Sequence, residues 1–439
     1  MKTSTSTNHL ASIVVALFSA MACCALLRPC RGFQSTVVGT TRRGCLRSAP
    51  PSSISPRPVR VAYPRRIHPY SSRAASSEDD EEEEEEEEEN KARILFLGTP
   101  DVAAASLESI HEASRRPGSP YRLVGVVTQP PKRRKRGGKE TPSPVGIVAE
   151  RLGLRVLCPE KARDGDFLDE LENEVRPDLC ITAAYGQYLP RRFLSLPRFG
   201  TLNIHPSLLP RWRGSSPVQR SLEAGDETVG VTVLFTVSRM DAGPIIVQES
   251  LTIDANEQAT TLLPRLFEIG TKRLIDAIPS VIDGGITMET ATVQDDSLVR
   301  EAGMIDSSEG QLWPSNMTAI QCHNRVRGFS MWPGTFLYVR MSDDDDENEP
   351  MKVKIIESRV LDETAEPTNL IEIGPRKGDG LRLVCADGSV LELLRVQPAT
   401  RNIMDAKSFV NGLQGRTVRW LSESESRMDP QIQPGQQML

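Results

Sequence analysis

The sequence predicts a doubly wound, mostly parallel α/β domain followed by a small β-barrel of OB-like type. Two patterns and one change of composition lead to this. Between residues 91 and 284, short apolar runs alternate with helical patterns, which implies a parallel sheet covered by helices. After an irregular stretch near 284–303 the pattern changes to short β-like runs separated by turn residues, the spacing of a small barrel. The first ninety of the 439 residues share neither pattern and are set aside. The chain therefore divides into a presequence with an acidic linker (1–90), an α/β domain (91–284), a linker (285–303), a β-barrel domain (304–422) and a tail expected to be disordered (423–439).

Each element has a reason. ARILFLG (92–98) is a continuous apolar run ending in Gly, as expected of a strand buried on both faces. GTPD (98–101) makes a turn, DVAAASLESIHEAS reads as a helix, and YRLVGVVT (121–128) is a second strand. In the helix SPVGIVAERLG (143–153), Val145, Val148, Ala149 and Leu152 recur at helical spacing. LRVL (154–157), a polar helix around Phe167, Leu168 and Leu171, and DLCITAA (178–184) continue the alternation, and GTLNI (200–204) is the next strand. A helix is expected at 216–224, with Pro217 in its first turn. TVGVTVLFTV (228–237) and PIIVQESLTI (244–253) read as paired strands, followed by a long amphipathic helix over 259–282. In the barrel, FSMWPGTFLYVR (329–340), MKVKIIESRV (351–360), LIEIG (370–374), LRLVCADG (381–388) and SVLELLRVQP (389–398) are β-like, and DAKSFVNGLQG (405–415) is a closing helix.

The net charge of −6 conceals a division. Residues 1–77 hold eleven Lys/Arg and no acid, and 78–89 are twelve consecutive acids, so the remainder carries about −5. A near-neutral body must draw any nucleic-acid affinity from local patches. The apolar run 10–27 reads as a signal-peptide core or a marginal membrane span, and 28–77 has the acid-free composition of a transit peptide. Together they resemble the two-part presequence of algae with secondary plastids, with a mitochondrial address as the alternative. No stable membrane association of the mature form is expected. The acidic run is a self-repelling spacer. Cys158, Cys180, Cys322 and Cys385 are scattered without a CxxC, which argues against a disulfide framework or a metal site.

Open α/β sheets bind ligands outside the carboxyl ends of their strands. The turn G-T-P-D lacks the three glycines of a dinucleotide fingerprint, so NAD is discounted. In TLNIHPSLLPRWRG (201–214), Asn203 and His205 lie two apart on a strand and share a face. Imidazole suits general acid–base work near neutral pH, and the Asn amide can donate to an oxygen that becomes negative. Asp241, in the loop SRMDAGPI, is the candidate carboxylate to fix the imidazole and favour its protonated form. A His and an Asn at a strand end can equally serve to cap backbone groups, and residue chemistry alone weighs the two readings evenly.

NIHPSLLPRWRG (203–214) with a following MDAG loop resembles the folate-dependent formyltransferases. FLGTPD (96–101), TQP (128–130), TPSPV (141–145), AAYGQYLP (183–190), GSSPVQRSLEAGD (214–226), GVT (230–232) and FSMWPGTF (329–336) extend the resemblance over 92–420, in the form of the methionyl-tRNA formyltransferases. The resemblance implies a formyltransferase-type, Rossmann-like first domain and transfer of a formyl group from 10-formyltetrahydrofolate to the α-amino group of an initiator methionyl-tRNA, and the presequence places this in an organelle. It makes Asn203, His205 and Asp241 the catalytic trio, with Asn203 and protonated His205 holding the oxyanion and Asp241 orienting His205. Ser207, Leu208, Leu209 and Pro210 would line the folate site, with Ala184, Tyr185, Gly186 and Leu189 near the pterin. No metal is expected, and the protein is expected to be a monomer. Pro206 stands where many relatives have Gly.

PPKRRKRGGKE (130–140) holds six Lys/Arg in eleven residues and leaves the edge that carries Asn203 and His205. A basic, Gly-containing loop there can approach phosphates. By the resemblance it meets the tRNA acceptor arm, with Arg136 foremost and Lys132, Arg133, Arg134, Lys135 and Lys139 as auxiliary charge. Arg211 and Arg213 are candidates for further RNA contacts, whereas Trp212 reads as packing. The barrel would hold the tRNA body, with its acidic loop at 343–349 facing away. Three alternatives stand beside this reading: the same chemistry on glycinamide ribonucleotide or a sugar nucleotide, a non-catalytic RNA-binding scaffold, and a folate-dependent dehydrogenase or hydrolase.

Overall fold

The computed structural model of the chain describes residues 90–133, 138–342, 349–376, 378–429 and 432. The expectations for the presequence, for most of the acidic loop at 343–349, and for Arg134, Lys135 and Arg136 lie outside the described residues.

The α/β domain runs β1 (Ala92–Gly98), α1 (Asp101–Ser114), β2 (Tyr121–Val127), a short hairpin β3 (Lys132–Arg133) and β4 (Glu140–Thr141), α2 (Pro144–Arg151) and β5 (Val156–Leu157). It continues with α3 (Gly165–Glu170), a π-helical turn over Leu171–Val175, β6 (Leu179–Ala183), α4 (Arg191–Leu194), β7 (Thr201–His205) and β8 (Arg211–Arg213). Then come α5 (Pro217–Glu223), β9 (Thr228–Phe235), β10 (Ile245–Thr252) and α6 (Ala259–Ile282). The main sheet has the order β10-β9-β7-β6-β1-β2-β5. From β7 to β5 every pairing is parallel, and β9 is antiparallel to both its neighbours.

Residues of β1 alternate between two cores. Ile94 and Phe96 join Leu107 and Ile110 on one face, while Leu95 and Leu97 join Phe167, Leu171 and Phe193 on the other. Burial on both faces explains the unbroken apolar run, and each such side chain contributes about 1.5–3 kcal/mol. The chain winds from β1 outward to β2 and β5, then returns to the other side of β1 as β6. That reversal leaves a crevice beyond the carboxyl ends of β1 and β6, next to the end of β7. Helix α6 crosses β7 and β9 closely: a Cβ on Gly270 would stand 2.5 Å from Val231 and 2.7 Å from Ile204.

The second domain begins after β11 (Arg300–Glu301), which pairs with β8. It contains α7 (Ala319–Gly328), β12 (Thr335–Ser342), β13 (Met351–Thr364), β14 (Leu370–Ile373), β15 (Leu381–Val384), β16 (Ser389–Pro398), β17 (Met404–Asp405), α8 (Ala406–Leu413), β18 (Thr417–Trp420) and α9 (Glu423–Met428). Six strands close as β13-β12-β18-β14-β15-β16-β13, all antiparallel, around Leu337, Val353, Leu383, Leu391 and Val418. The barrel docks on the first domain through polar contacts: Gln258 Nε2 donates to the Ile356 carbonyl at 2.9 Å, His323 Nε2 to the Ala255 carbonyl at 3.0 Å, and Arg220 grips Glu309 at 2.7 Å.

Four expectations need correction. The stretch 285–303 is no free connector, because Thr292 exchanges backbone hydrogen bonds with Ile245 and β11 pairs with β8. Residues 329–334 are the turn leaving α7, and the strand starts at Thr335. The strand β18 follows the closing helix and is needed to seal the barrel. Glu423–Met428 is helical and not disordered, with Ser422 and Glu425 forming a capping box.

Candidate active site

Parallel pairing aligns Asn203 on β7 with Thr182 on β6. The Thr182 hydroxyl lies 2.8 Å from Asn203 Oδ1 and donates to it, so the oxygen and not the nitrogen of the amide faces Thr182. Among the described residues nothing accepts from that Nδ2, so it is available to an incoming oxygen. His205 is 4% exposed, and its Nε2 donates to the Trp212 carbonyl at 2.9 Å. That bond selects the Nε2–H tautomer and leaves Nδ1 facing Asp241 Oδ2 at 3.7 Å. This is beyond hydrogen-bonding range and within reach of an ion pair.

The imidazole is therefore hydrogen-bonded to a backbone carbonyl on one side, with the Asp241 carboxylate facing its other nitrogen. The carbonyl is itself held. Trp212 has φ +67°, its indole N–H donates to Asp226 at 2.7 Å, and the guanidiniums of Arg211 and Arg300 stand 5.0 and 5.7 Å from its ring. Asp241, in the loop between β9 and β10, has φ +47°, and its Oδ2 accepts from the Gly214 amide at 2.9 Å. His205 and Asp241 thus meet at the carboxyl edge of β7, and Asn203 lies two residues before His205 on the same strand.

Ser207–Pro210 crosses the end of β9. The Ser207 hydroxyl donates to the Arg211 carbonyl at 2.8 Å, the Thr232 hydroxyl donates to the Ser207 carbonyl at 2.6 Å, and the Leu209 carbonyl accepts from Gln248 at 2.8 Å. Leu208 packs so close to Gly230 that a Cβ there would meet it at 2.5 Å. These residues spend their side chains and much of their backbone on holding the loop against the sheet. In the loop after β6, Ala184 (φ +48°) and Gly186 (φ +80°) bend the backbone, while Tyr185 and Leu189 insert into the core. Burial pushes the Tyr185 hydroxyl well above the usual phenol range. The Tyr185 carbonyl accepts from Thr99 at 3.0 Å and Gln129 at 3.2 Å, joining three strand-end loops around the crevice.

With this geometry in hand, comparison with known proteins identifies the lineage. A formyl transferase family model matches residues 92–278, and a formyl transferase C-terminal domain model matches 305–414. The chain is 34% identical over 327 residues to a methionyl-tRNA formyltransferase from Macrococcus caseolyticus (strain JCSC5402), covering 74% of this chain and 97% of that protein. The chain belongs to the methionyl-tRNA formyltransferase family. It is a formyl-transfer enzyme. Two solved structures are also similar to this formyltransferase. One is glycinamide ribonucleotide transformylase 1 from Symbiobacterium toebii, at 24% identity and a TM-score of 0.40, covering 47% of this chain and 94% of that one. The other is an N-formyltransferase from Helicobacter canadensis in complex with folinic acid and dTDP-3-aminofucose, at 17% and 0.48, covering 69% and 98%.

The basic loop of this formyltransferase leaves the carboxyl end of β2. Lys132 donates to Gln129 Oε1 at 2.6 Å, Arg133 pairs with Glu140 at 3.3 Å across the hairpin, and Lys139 is exposed. Burial removes Arg213 from the residues expected to add RNA contacts, whereas Arg211 keeps a partly exposed side chain. Arg213 is 2% exposed and bound to Gln294 and Asp296, and Arg211 is paired with Asp226. Sequence reading misses Thr182, the Trp212 carbonyl and Gln294. Thr182 is legible as the last polar residue of an apolar strand beside β7. The other two depend on long-range packing and leave no local signal.

Proposed function

We propose that the chain transfers the formyl group of 10-formyltetrahydrofolate to the α-amino group of methionine on an initiator methionyl-tRNA. One observation carries the site assignment: an Asn203 amide with no acceptor among the described residues stands two residues from a buried His205 whose free nitrogen faces Asp241. The formyl donor is a substrate, consumed and released as tetrahydrofolate. The crevice suits it, because it offers an uncommitted amide donor where a formyl oxygen would turn negative.

The amine nitrogen attacks the formyl carbon, a C–N bond forms, and the carbonyl electron pair moves onto oxygen. Asn203 Nδ2–H and the Nδ1–H of imidazolium His205 donate to that oxyanion. Asp241, held by the Gly214 amide, faces the imidazole across 3.7 Å and takes the ammonium proton, directly or through water. The oxyanion then collapses, the bond to the folate nitrogen breaks, and that nitrogen gains a proton. Ser207–Pro210 and Ala184, Tyr185, Gly186 and Leu189 frame the folate side, and the loop with Lys132–Arg136 and Lys139 meets the acceptor arm.

The reading extends to place: an organelle, a plastid by the two-part presequence, with the protein acting as a monomer free of the membrane. A chain starting near residue 91 is expected to formylate initiator methionyl-tRNA. His205→Ala and Asp241→Ala should abolish turnover with the fold intact, and near-full turnover by His205→Ala would sink the mechanism. Fusion of residues 1–90 to a fluorescent reporter tests the address, and a cytosolic signal refutes it.

A further inference from the structure

We infer that Gln294, on the segment joining the two domains, is a positioning residue that sets Asp241 for the formyl-transfer step. This deepens the reading above and rests on it. Gln294 is 8% exposed, and both ends of its amide are committed. Nε2 donates to the carbonyls of Asp241 and Gly243, each at 2.8 Å. Oε1 accepts from Arg213, at 2.9 Å from Nε and 2.7 Å from Nη2. Arg213 is almost wholly buried, and its Nη1 is anchored by Asp296 at 2.9 Å. The segment is tied down two residues earlier, where Thr292 and Ile245 exchange hydrogen bonds of 2.8 and 2.9 Å.

The two carbonyls that Gln294 holds flank Ala242 in the turn that bears the catalytic carboxylate. Asp241 sits there at φ +47°, in the left-handed region that few non-glycine residues occupy, and Gln294 clamps that turn from outside it. Among the described residues its carboxylate accepts one hydrogen bond, from the Gly214 amide, and Gly214 directly follows Arg213. Gln294 and Arg213 thus fix the Asp241 turn from behind and the residue that aims its carboxylate from the side. The chemistry is specific to an amide. A carboxylate at 294 would keep Arg213 as a partner but would set an acceptor against two carbonyl oxygens, releasing the turn.

The test is a double-mutant cycle on the complete chain, with initiator methionyl-tRNA and 10-formyltetrahydrofolate as substrates; kcat and KM are read at steady state for the Gln294 variants, and single-turnover rates at excess enzyme read the residual reaction in the Asp241→Asn background. Gln294→Glu should lower kcat about 10- to 100-fold, as expected when a reacting group shifts by about 1 Å, with both KM values and the melting temperature little changed. In an Asp241→Asn background the same substitution should cost less than about twofold more, because its effect is exerted only through the carboxylate already removed. Gln294→Met, of similar size and unable to hold either carbonyl, should show the same pattern and serves if the Glu variant fails to fold. Losses that multiply in the double variant, or Gln294 variants with full kcat beside an inactive Asp241→Asn, overturn the inference alone. An Asp241→Asn protein of undiminished rate overturns the reading of the site itself, and this inference with it.

Discussion

The sharpest structural demand on the site is made by Gly243. A Cβ built there would lie 1.7 Å from the Phe235 carbonyl oxygen, where real contacts do not fall below 3.0 Å. Phe235 cannot yield, because it is paired with Leu202 in the sheet and its amide is bound to the Pro244 carbonyl at 2.9 Å. Gly243→Ala must therefore push the turn outward by about 1.3 Å, the difference between those two distances. The turn carries Asp241, whose carboxylate stands 3.7 Å from His205. A misplacement of about 1 Å costs about 100-fold in rate, or about 2.7 kcal/mol of activation free energy. Overpacking adds about 1–3 kcal/mol of destabilisation. The assay is kcat for formylation of methionyl-tRNA at saturating donor, read beside thermal melting. Gly303→Ala is the control, since a Cβ there meets nothing within 4 Å and the change should be silent. A Gly243→Ala protein with kcat within about threefold of the parent would show that the turn absorbs the methyl without moving Asp241, and the reasoning would fail.

Asp226 accepts from Arg211, from the Trp212 indole at 2.7 Å and from the Ser221 hydroxyl at 2.7 Å, so Asp226→Ala should cost about 3 kcal/mol in urea unfolding and slow turnover by freeing Trp212. His323 is held neutral at the domain junction, and burial lowers its pKa below the ordinary 6.5. The unfolded chain then binds the extra proton first on acidification. The contribution of His323 to stability is fully present above about 6.5 and is lost as pH falls through the folded value. Urea midpoints between pH 5 and 8 should show this slope, and His323→Gln should flatten it. Replacing the charges at Lys132, Arg133, Arg134, Lys135, Arg136 and Lys139 should raise KM for tRNA with kcat little changed. It should also shallow the logarithmic salt dependence by about 0.7–0.9 for each phosphate no longer neutralised, and an unchanged salt slope would remove the loop from the interface.

What the sequence discloses and what it hides follow one physical line. Elements buried by their own repeating pattern are legible: β1 because apolar residues on both faces leave no gap, and α6 because its stripe runs unbroken from Ala259 to Val281. Asn203 and His205 are legible because a two-residue spacing on a strand fixes a common face. Helix α7 is not, since its buried set of Ala319, Cys322, His323, Asn324, Val326, Arg327 and Gly328 mixes polar with apolar residues. Its start is nonetheless written in the Thr318–Gln321 capping box. Strand β18 offers only four residues, too few to show a period.

The arginines of PRWRG show why charge in a sequence is a poor guide to what charge contacts. Next to a strand-end His they look like an RNA grip, yet one is buried against Gln294 and the other is paired with Asp226. Their work is to fix the Trp212 carbonyl between them, which chooses the tautomer of His205 and thereby decides which ring nitrogen faces Asp241. The hydrogen-bond partners that make this arrangement lie 14 to 83 residues away in sequence. A local motif can nominate the reacting groups, but the way their rings and carboxylates face one another is set by contacts that only the folded chain brings together.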